Sequence, residues 1–327
     1  MNFIHDDPDF DDLVRIVAGK RRLSLGLIEK DYWVTHTLWA LHAAGFEVWF
    51  KGGTSLSKGF GLIERFSEDL DLKVEPGSVA ALPAVSNWKS EGANATAARR
   101  AHFETLADLL AVPGARVSLD AAQPDRFWRS ADIRVAYAGR HLGDLGGMLR
   151  PFVLLEIGSA RVTPSVPCDM TSFVHDELAE QGQLGLFADN RPKGVRCVHP
   201  IVTLLEKLDA LHRRLPNEKA EPAAFVRHFE DSARVINALS SVPPLSDYAG
   251  ARALAADMLR QKQLAVIPTT ADPAFALASG ARTDAVRAAH AAIAPMFWGP
   301  RISLDEACST IRDWIERNLA ATNPLAP

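Results

Sequence analysis

The sequence predicts an α+β protein, with a mixed N-terminal half over residues 1–198 and a helical C-terminal half over residues 199–327. Two patterns carry that reading. Short runs of strand formers, broken by glycines and helical stretches, fill the first half. After Pro200 the apolar residues recur at helical spacing instead. Composition agrees: 47% of the 327 residues are hydrophobic, 23% are charged and the mean hydropathy is −0.02. Those values argue against extensive disorder, a collagen-like chain or a disulfide scaffold.

Residues 24–44 read as a long helix, with Leu25, Ile28, Trp33, Leu38 and Leu41 near helical spacing and Gly45 as its stop. Residues 47–51 form a short strand around Val48-Trp49-Phe50, which Gly52-Gly53 breaks before a helical turn over 54–60. Residues 69–74 alternate Asp, Leu, Asp, Leu, Lys, Val, a period-two strand with one acidic face. A loop-like stretch over 76–94 precedes a helix over 96–112, carried by Phe103, Leu106, Leu109 and Leu110. Strand-like runs follow at 116–119, 132–137 and 151–157, while the prolines and glycines of 158–198 resist assignment. Helices are expected at 201–215, 223–239, 251–264 and 282–293, and a last one opens at Ser303 with Glu306 completing a capping box.

Lys plus Arg total 36 against 40 Asp plus Glu, a net charge of −4 with a pI near 6.2. That balance does not favour a general nucleic-acid coat protein, though it permits a local basic groove. Cys168, Cys197 and Cys308 lack paired spacing, and the ten histidines form no zinc motif. No apolar run approaches the ~20 residues that span a bilayer. The acidic start, His5-Asp6-Asp7-Pro8-Asp9, is unlike a secretory leader. The expectation is a cytoplasmic protein with no membrane partner.

Chemistry concentrates in Lys51-Gly52-Gly53-Thr54-Ser55-Leu56-Ser57-Lys58 and in Glu64-Arg65-Phe66-Ser67-Glu68-Asp69-Leu70-Asp71-Leu72. A strand, two glycines and a helix start offer free backbone amides to phosphate oxygens. Asp69 and Asp71, two apart on a strand, send both carboxylates to one face, and hard oxygen ligands of that kind suit Mg²⁺ beside substrate phosphates. Either element alone is also what a tight turn or an exposed strand face looks like. Their order, strand, Gly-Gly, helix, then Asp-x-Asp strand, makes coincidence much harder to accept.

This arrangement resembles the polymerase-β-like nucleotidyltransferase superfamily, and within it the AbiEii/AbiGii family of bacterial toxins. The matching segments are Glu29-Lys30-Asp31-Tyr32-Trp33-Val34, Lys51-Gly52-Gly53-Thr54-Ser55-Leu56, Arg65-Phe66-Ser67-Glu68-Asp69-Leu70-Asp71-Leu72 and Leu205-Glu206-Lys207-Leu208-Asp209-Ala210-Leu211. A fifth is Arg227-His228-Phe229-Glu230-Asp231. The gap between Gly53-Thr54 and Asp69 is longer than in minimal nucleotidyltransferases and similar to that of the toxin family. The resemblance implies a small mixed sheet with flanking helices as the catalytic core, and a helical domain that contributes Lys207 and Asp231 to the cleft.

It further implies that Asp69 and Asp71 hold Mg²⁺ or Mn²⁺ on a nucleoside triphosphate. The amides of Gly53 and Thr54, with Ser55, would cradle the phosphates, and Gly52, Lys58 and Ser67 complete the nucleotide-binding set. Glu156 is the candidate third carboxylate, for metal and for deprotonating the attacking hydroxyl; a partnered structural Glu or an outward-facing edge residue is the alternative. Lys207 would meet the triphosphate and Asp231 orient it, yet both also fit a solvated helix face. Lys30 and Asp31 fit either a supporting role or structural pairing, and Ser67 also reads as a simple turn serine. The implied reaction is NMP transfer from an NTP to an RNA hydroxyl, a tRNA 3′ end, by the toxin of a toxin–antitoxin or abortive-infection system held by a cognate antitoxin. Two rivals stay open: a non-catalytic nucleotide-binding protein, and an enzyme that nucleotidylates or phosphorylates a protein. Arg99, Arg100, Arg126, Arg129 and Arg134 mildly favour a polyanionic acceptor.

Overall fold

A computed structural model describes residues 1–67, 69–120, 125–145 and 150–320. The chain divides into two compact units, Met1–Gly59 with Ser67–Cys197, and Phe60–Phe66 with Val198–Pro327. The sequence reading puts residues 60–66 in the first half. They pack in the second unit because Phe66 N–H donates to Met296 O (2.9 Å) and Trp298 N–H to Glu64 O (3.0 Å).

The first unit opens with α1 (Phe10–Arg21), a helix to which the sequence reading assigns no element. Asp11 and Asp12 in its first turn and Lys20 and Arg21 in its last complement the helix dipole. Helix α2 (Leu25–Ala43) starts where Ser24 Oγ accepts the Leu27 amide, and nearly its whole length is buried. Then come β1 (Glu47–Lys51), a single turn α3 (Gly52–Thr54) running into a wide helical turn over Ser55–Gly59, and β2 (Asp69–Glu75). The remaining elements of this unit are α4 (Ala93–Leu109), β3 (Ala115–Leu119), β4 (Ser130–Tyr137), β5 (Val153–Gly158), β6 (Ser165–Cys168), α5 (Phe173–Glu180) and β7 (Val195–Val198). The last three of these lie in the stretch whose prolines and glycines hide them from sequence reading.

The strands form one mixed sheet in the order β3-β4-β5-β2-β1-β7-β6. Strand β2 runs antiparallel to β1 and parallel to β5, and β4 runs antiparallel to both β3 and β5. Alternation along β2 buries Leu70, Leu72 and Val74 and leaves the acidic positions half-exposed. Helix α2 carries a buried polar network: Asn190 bonds the Tyr32 hydroxyl, His36 and His175 at 2.7–3.0 Å. Burial is the main cause that pushes His36 and His175 down to about 4, so this network is neutral.

The second unit is helical: α6 (Pro200–Arg214), α7 (Arg227–Asn237), α8 (Ala251–Arg260), α9 (Ala281–Ala292) and α10 (Leu304–Asn318). Helix α7 is shorter than its periodicity suggests, because Pro222–Ala224 form a separate tight turn. Ser303 Oγ accepts the Glu306 amide at the start of α10, as the capping motif predicts. Leu205, Leu208, Phe229, Val235, Ile311 and Trp314 form its apolar core.

Candidate active site

Strand pairing builds the acidic site. Across the sheet, Lys51 of β1 stands opposite Asp71 of β2, Asp71 opposite Glu156 of β5, and Glu156 opposite Asp132 of β4. Residues directly opposite on neighbouring strands share a face with Cβ atoms roughly 5 Å apart. This row lines a cavity of about 450 Å³ with Arg129, Ser130 and the Gly158–Ala160 turn. Asp69, two residues before Asp71, lies on the same face, and its Oδ1 accepts from Arg150 Nη1 at 2.8 Å. Among the described residues, four carboxylates thus stand with three cations, Lys51, Arg129 and Arg150.

Burial and neighbouring carboxylates both act on the acidic row. Burial is the largest cause raising the Glu156 carboxyl to about 7, followed by Asp71, Asp69 and Asp132, with Arg150 opposing. Asp132 is raised as well, first by burial and then by Asp120. Sequence reasoning missed Lys51, Asp132 and Arg150 as members of the site. The alternation of Asp132 and Arg134 along a strand was a signal for an exposed face, but register alone reveals what each opposes.

The Gly-Gly turn is shaped by the same carboxylates. Gly52 has a φ of +77°, and a Cβ there would come within 1.7 Å of Asp71 Oδ2, so only glycine fits. Thr54 is buried, and its hydroxyl lies within hydrogen-bond reach of Ser67 O (3.1 Å) and Asp69 O (2.7 Å), pinning the turn to the start of β2. Ser55 is buried beside the Cys197 thiol, and Ser67 is half-buried. Glu68 lies outside the described residues. Lys58 donates to Asp31 at 2.5 Å, and Asp31 also accepts the Phe173 amide. Lys30 Nζ donates to the backbone carbonyl of Arg150 at 2.6 Å, supporting the residue that meets Asp69. Arg99 is wholly buried and spends its guanidinium on Phe127 O, Asn87 O and Ser90 O, which makes it a loop clamp rather than a polyanion contact. Arg100, Arg129 and Arg134 pair with Glu104, Glu91 and Asp120.

The other two predicted residues lie together in the second unit. Asp231 is fully buried on α7, and Lys207 on α6 donates to its Oδ2 at 2.7 Å. The solvated-face alternative for both is therefore excluded. Arg65 grips the same carboxylate, through Nε at 2.7 Å and Nη2 at 2.8 Å. Burial alone would raise the Asp231 carboxyl, but Arg65 and Lys207 outweigh it and hold it far below the usual range. Burial lowers the Lys207 ammonium, with Asp231 opposing.

Among the described residues no three His, Cys, Asp or Glu side chains already stand as a metal cage. The donor set nonetheless fits a hard dication, since Mg²⁺ takes one or two protein carboxylates and completes its shell with phosphate oxygens and water. The carboxylates of Asp71 and Glu156, facing each other across β2 and β5, are what such an ion would neutralise.

A glycine turn against an Asp-x-Asp strand with facing carboxylates is an arrangement suited to holding a divalent metal on a phosphorylated substrate. The family model of the nucleotidyl transferase AbiEii toxin of type IV toxin–antitoxin systems matches residues 39–310, and the chain belongs to that family. Among solved structures, MenT4, a nucleotidyltransferase toxin from Mycobacterium tuberculosis H37Rv, is 16% identical with a TM-score of 0.40, covering 93% of this chain and 96% of its own. JHP933 from Helicobacter pylori is 13% identical with a TM-score of 0.33, covering 90% of this chain and 95% of its own. No curated protein matches the sequence. Membership makes the chain a nucleotidyltransferase toxin, for which the family implies an NTP substrate, a divalent metal and an antitoxin partner. No helix among the described residues is long and apolar enough to cross a membrane.

Proposed function

We propose that this toxin transfers a nucleoside monophosphate from an NTP to a hydroxyl of RNA, at the 3′ end of tRNA, in an Mg²⁺-dependent reaction. The observation that carries it is the row of Asp71, Glu156 and Asp132 beside the Gly52 turn, a face with more carboxylates than cations. Asp69 and Asp71, with Glu156, would hold Mg²⁺, which neutralises charge on the phosphates. The amides of Gly53 and Thr54 receive phosphate oxygens, while Thr54 keeps the turn on β2 and Gly52 leaves room for Asp71. Glu156, opposite Asp71 on the neighbouring strand, would take the proton of the attacking hydroxyl. The α-phosphorus–oxygen bond to pyrophosphate breaks as the new phosphodiester forms. Lys207 supplies an N–H to phosphate, and a cognate antitoxin restrains the enzyme.

The test is to incubate the protein with each α-labelled NTP, Mg²⁺ and total RNA plus total protein, then separate the fractions. Label at tRNA 3′ ends is expected. Label confined to protein would replace the acceptor, and nucleotide binding without any transfer would reduce the chain to a sensor.

A further inference from the structure

Arg65 heads the fully buried side chains by size, at 2% exposure. A buried guanidinium is tolerated only with partners, and Arg65 has them: both oxygens of Asp231, and the carbonyl of Phe66 through Nη1 at 2.9 Å. Asp231 also accepts from Lys207, so one carboxylate serves two cations. His228 does not change that count, because burial and then Lys207 keep its ring neutral 3.5 Å from the Lys207 ammonium. The neighbouring Glu230 is engaged by Arg234 and Arg301. Within the trio one positive charge is left over. Lys207 is its outlet, since its side chain is 7% exposed against 2% for Arg65 and 0% for Asp231.

Resting on the reading that Lys207 meets nucleotide phosphate, we infer that Arg65 is a positioning residue that gives Lys207 its phosphate-binding charge. By bringing a second positive charge to Asp231, Arg65 prevents that carboxylate from cancelling Lys207. Without Arg65 the remaining Lys207–Asp231 pair is neutral and no longer attracts an anion. The placement of Arg65 is itself secured. It bridges Phe297 in antiparallel fashion, and Glu64 before it accepts from Arg234 at 2.9 Å. In sequence the same segment separates the Gly-Gly turn from the Asp-x-Asp strand.

The probe is inorganic triphosphate with Mg²⁺, titrated calorimetrically into the full chain, which removes any dependence on base or acceptor. Lys207→Ala and Arg65→Met should each weaken binding about tenfold, the scale of one hydrogen bond to a charged group. Arg65→Met combined with Asp231→Asn restores the surplus charge and should return affinity to within about threefold of wild type. A merely structural Arg65 would make the double variant no better than the single. Unchanged binding in Lys207→Ala would overturn the phosphate reading of Lys207 itself. A weakened Lys207→Ala beside an unaffected Arg65→Met, or no recovery in the double variant, would overturn the role given to Arg65. Thermal unfolding identifies folded variants. Should Arg65→Met not fold, Arg65→Lys keeps the charge and loses the fork: wild-type affinity supports the inference, and a tenfold loss rejects it.

Discussion

The two units carry opposite charge imbalances. On the sheet, Asp69, Asp71, Asp132 and Glu156 share with Lys51, Arg129 and Arg150 a half-exposed face that water reaches. Between α6 and α7, Asp231 is shared by Arg65 and Lys207 with almost no water. The first arrangement calls for a cation and the second for an anion. The comparison teaches that a site can be recognised by charge left uncancelled. The more numerous balanced pairs, such as Arg100–Glu104, are worth little at an exposed surface.

The largest expected effect comes from removing one acid of the row. Asp71→Asn should lower nucleotide transfer by about 10³-fold, with the melting temperature unchanged or slightly raised as repulsion is relieved. Near-normal transfer would show that the sheet's negative surplus has no catalytic use.

Asp231→Asn should have the opposite effect on the fold. Two buried cations lose their anion, which costs about 3–5 kcal/mol in chemical unfolding at pH 7. The pH dependence follows from the sign of the shift. Asp231 is held below its ordinary 3.8, so its contribution is complete above that value and is lost as pH falls below it. Wild type should therefore show an acid limb below about pH 4 that is reduced in Asp231→Asn.

A smaller change of reversed sign is expected on the sheet. Glu156 titrates near 7 in the fold and near 4.5 unfolded, so its ionisation costs nothing below 4.5 and its full amount above 7. Glu156→Gln in EDTA should stabilise the protein by about 1–2 kcal/mol at pH 8, after allowance for solvent screening, and by nothing at pH 4. Excess Mg²⁺ should reduce that advantage by stabilising wild type more than the variant. A destabilised Glu156→Gln at pH 8 would mean that the row is internally paired. The smallest effect belongs to Thr54→Val, which leaves Ser67 O and Asp69 O without their hydroxyl partner. A loss of about 1 kcal/mol is expected by thermal unfolding, and no loss would free the turn from β2.

Local pattern alone determined much of this protein. The strand, glycine break and Asp-x-Asp strand were legible because period-two alternation and glycine's backbone freedom act within a few residues. Ser303 marked a helix start for the same reason, since a cap bonds an amide three residues on. Placement of Asp69 and Asp71 on one face needed nothing more. Which groups stand opposite that face is a different matter. Lys51, Asp132 and Glu156 are brought into register by strands far apart in sequence, and a slip of one residue would have turned each away. Lys207 and Asp231 look like ordinary helix charges until burial at the packed faces of α6 and α7 forces them together with Arg65. Arg99 looks like a surface arginine until three loop carbonyls enclose it. A chain's own pattern sets which way a side chain points within its element; the neighbour that meets it, and so the charge it must balance, is decided only when distant segments pack.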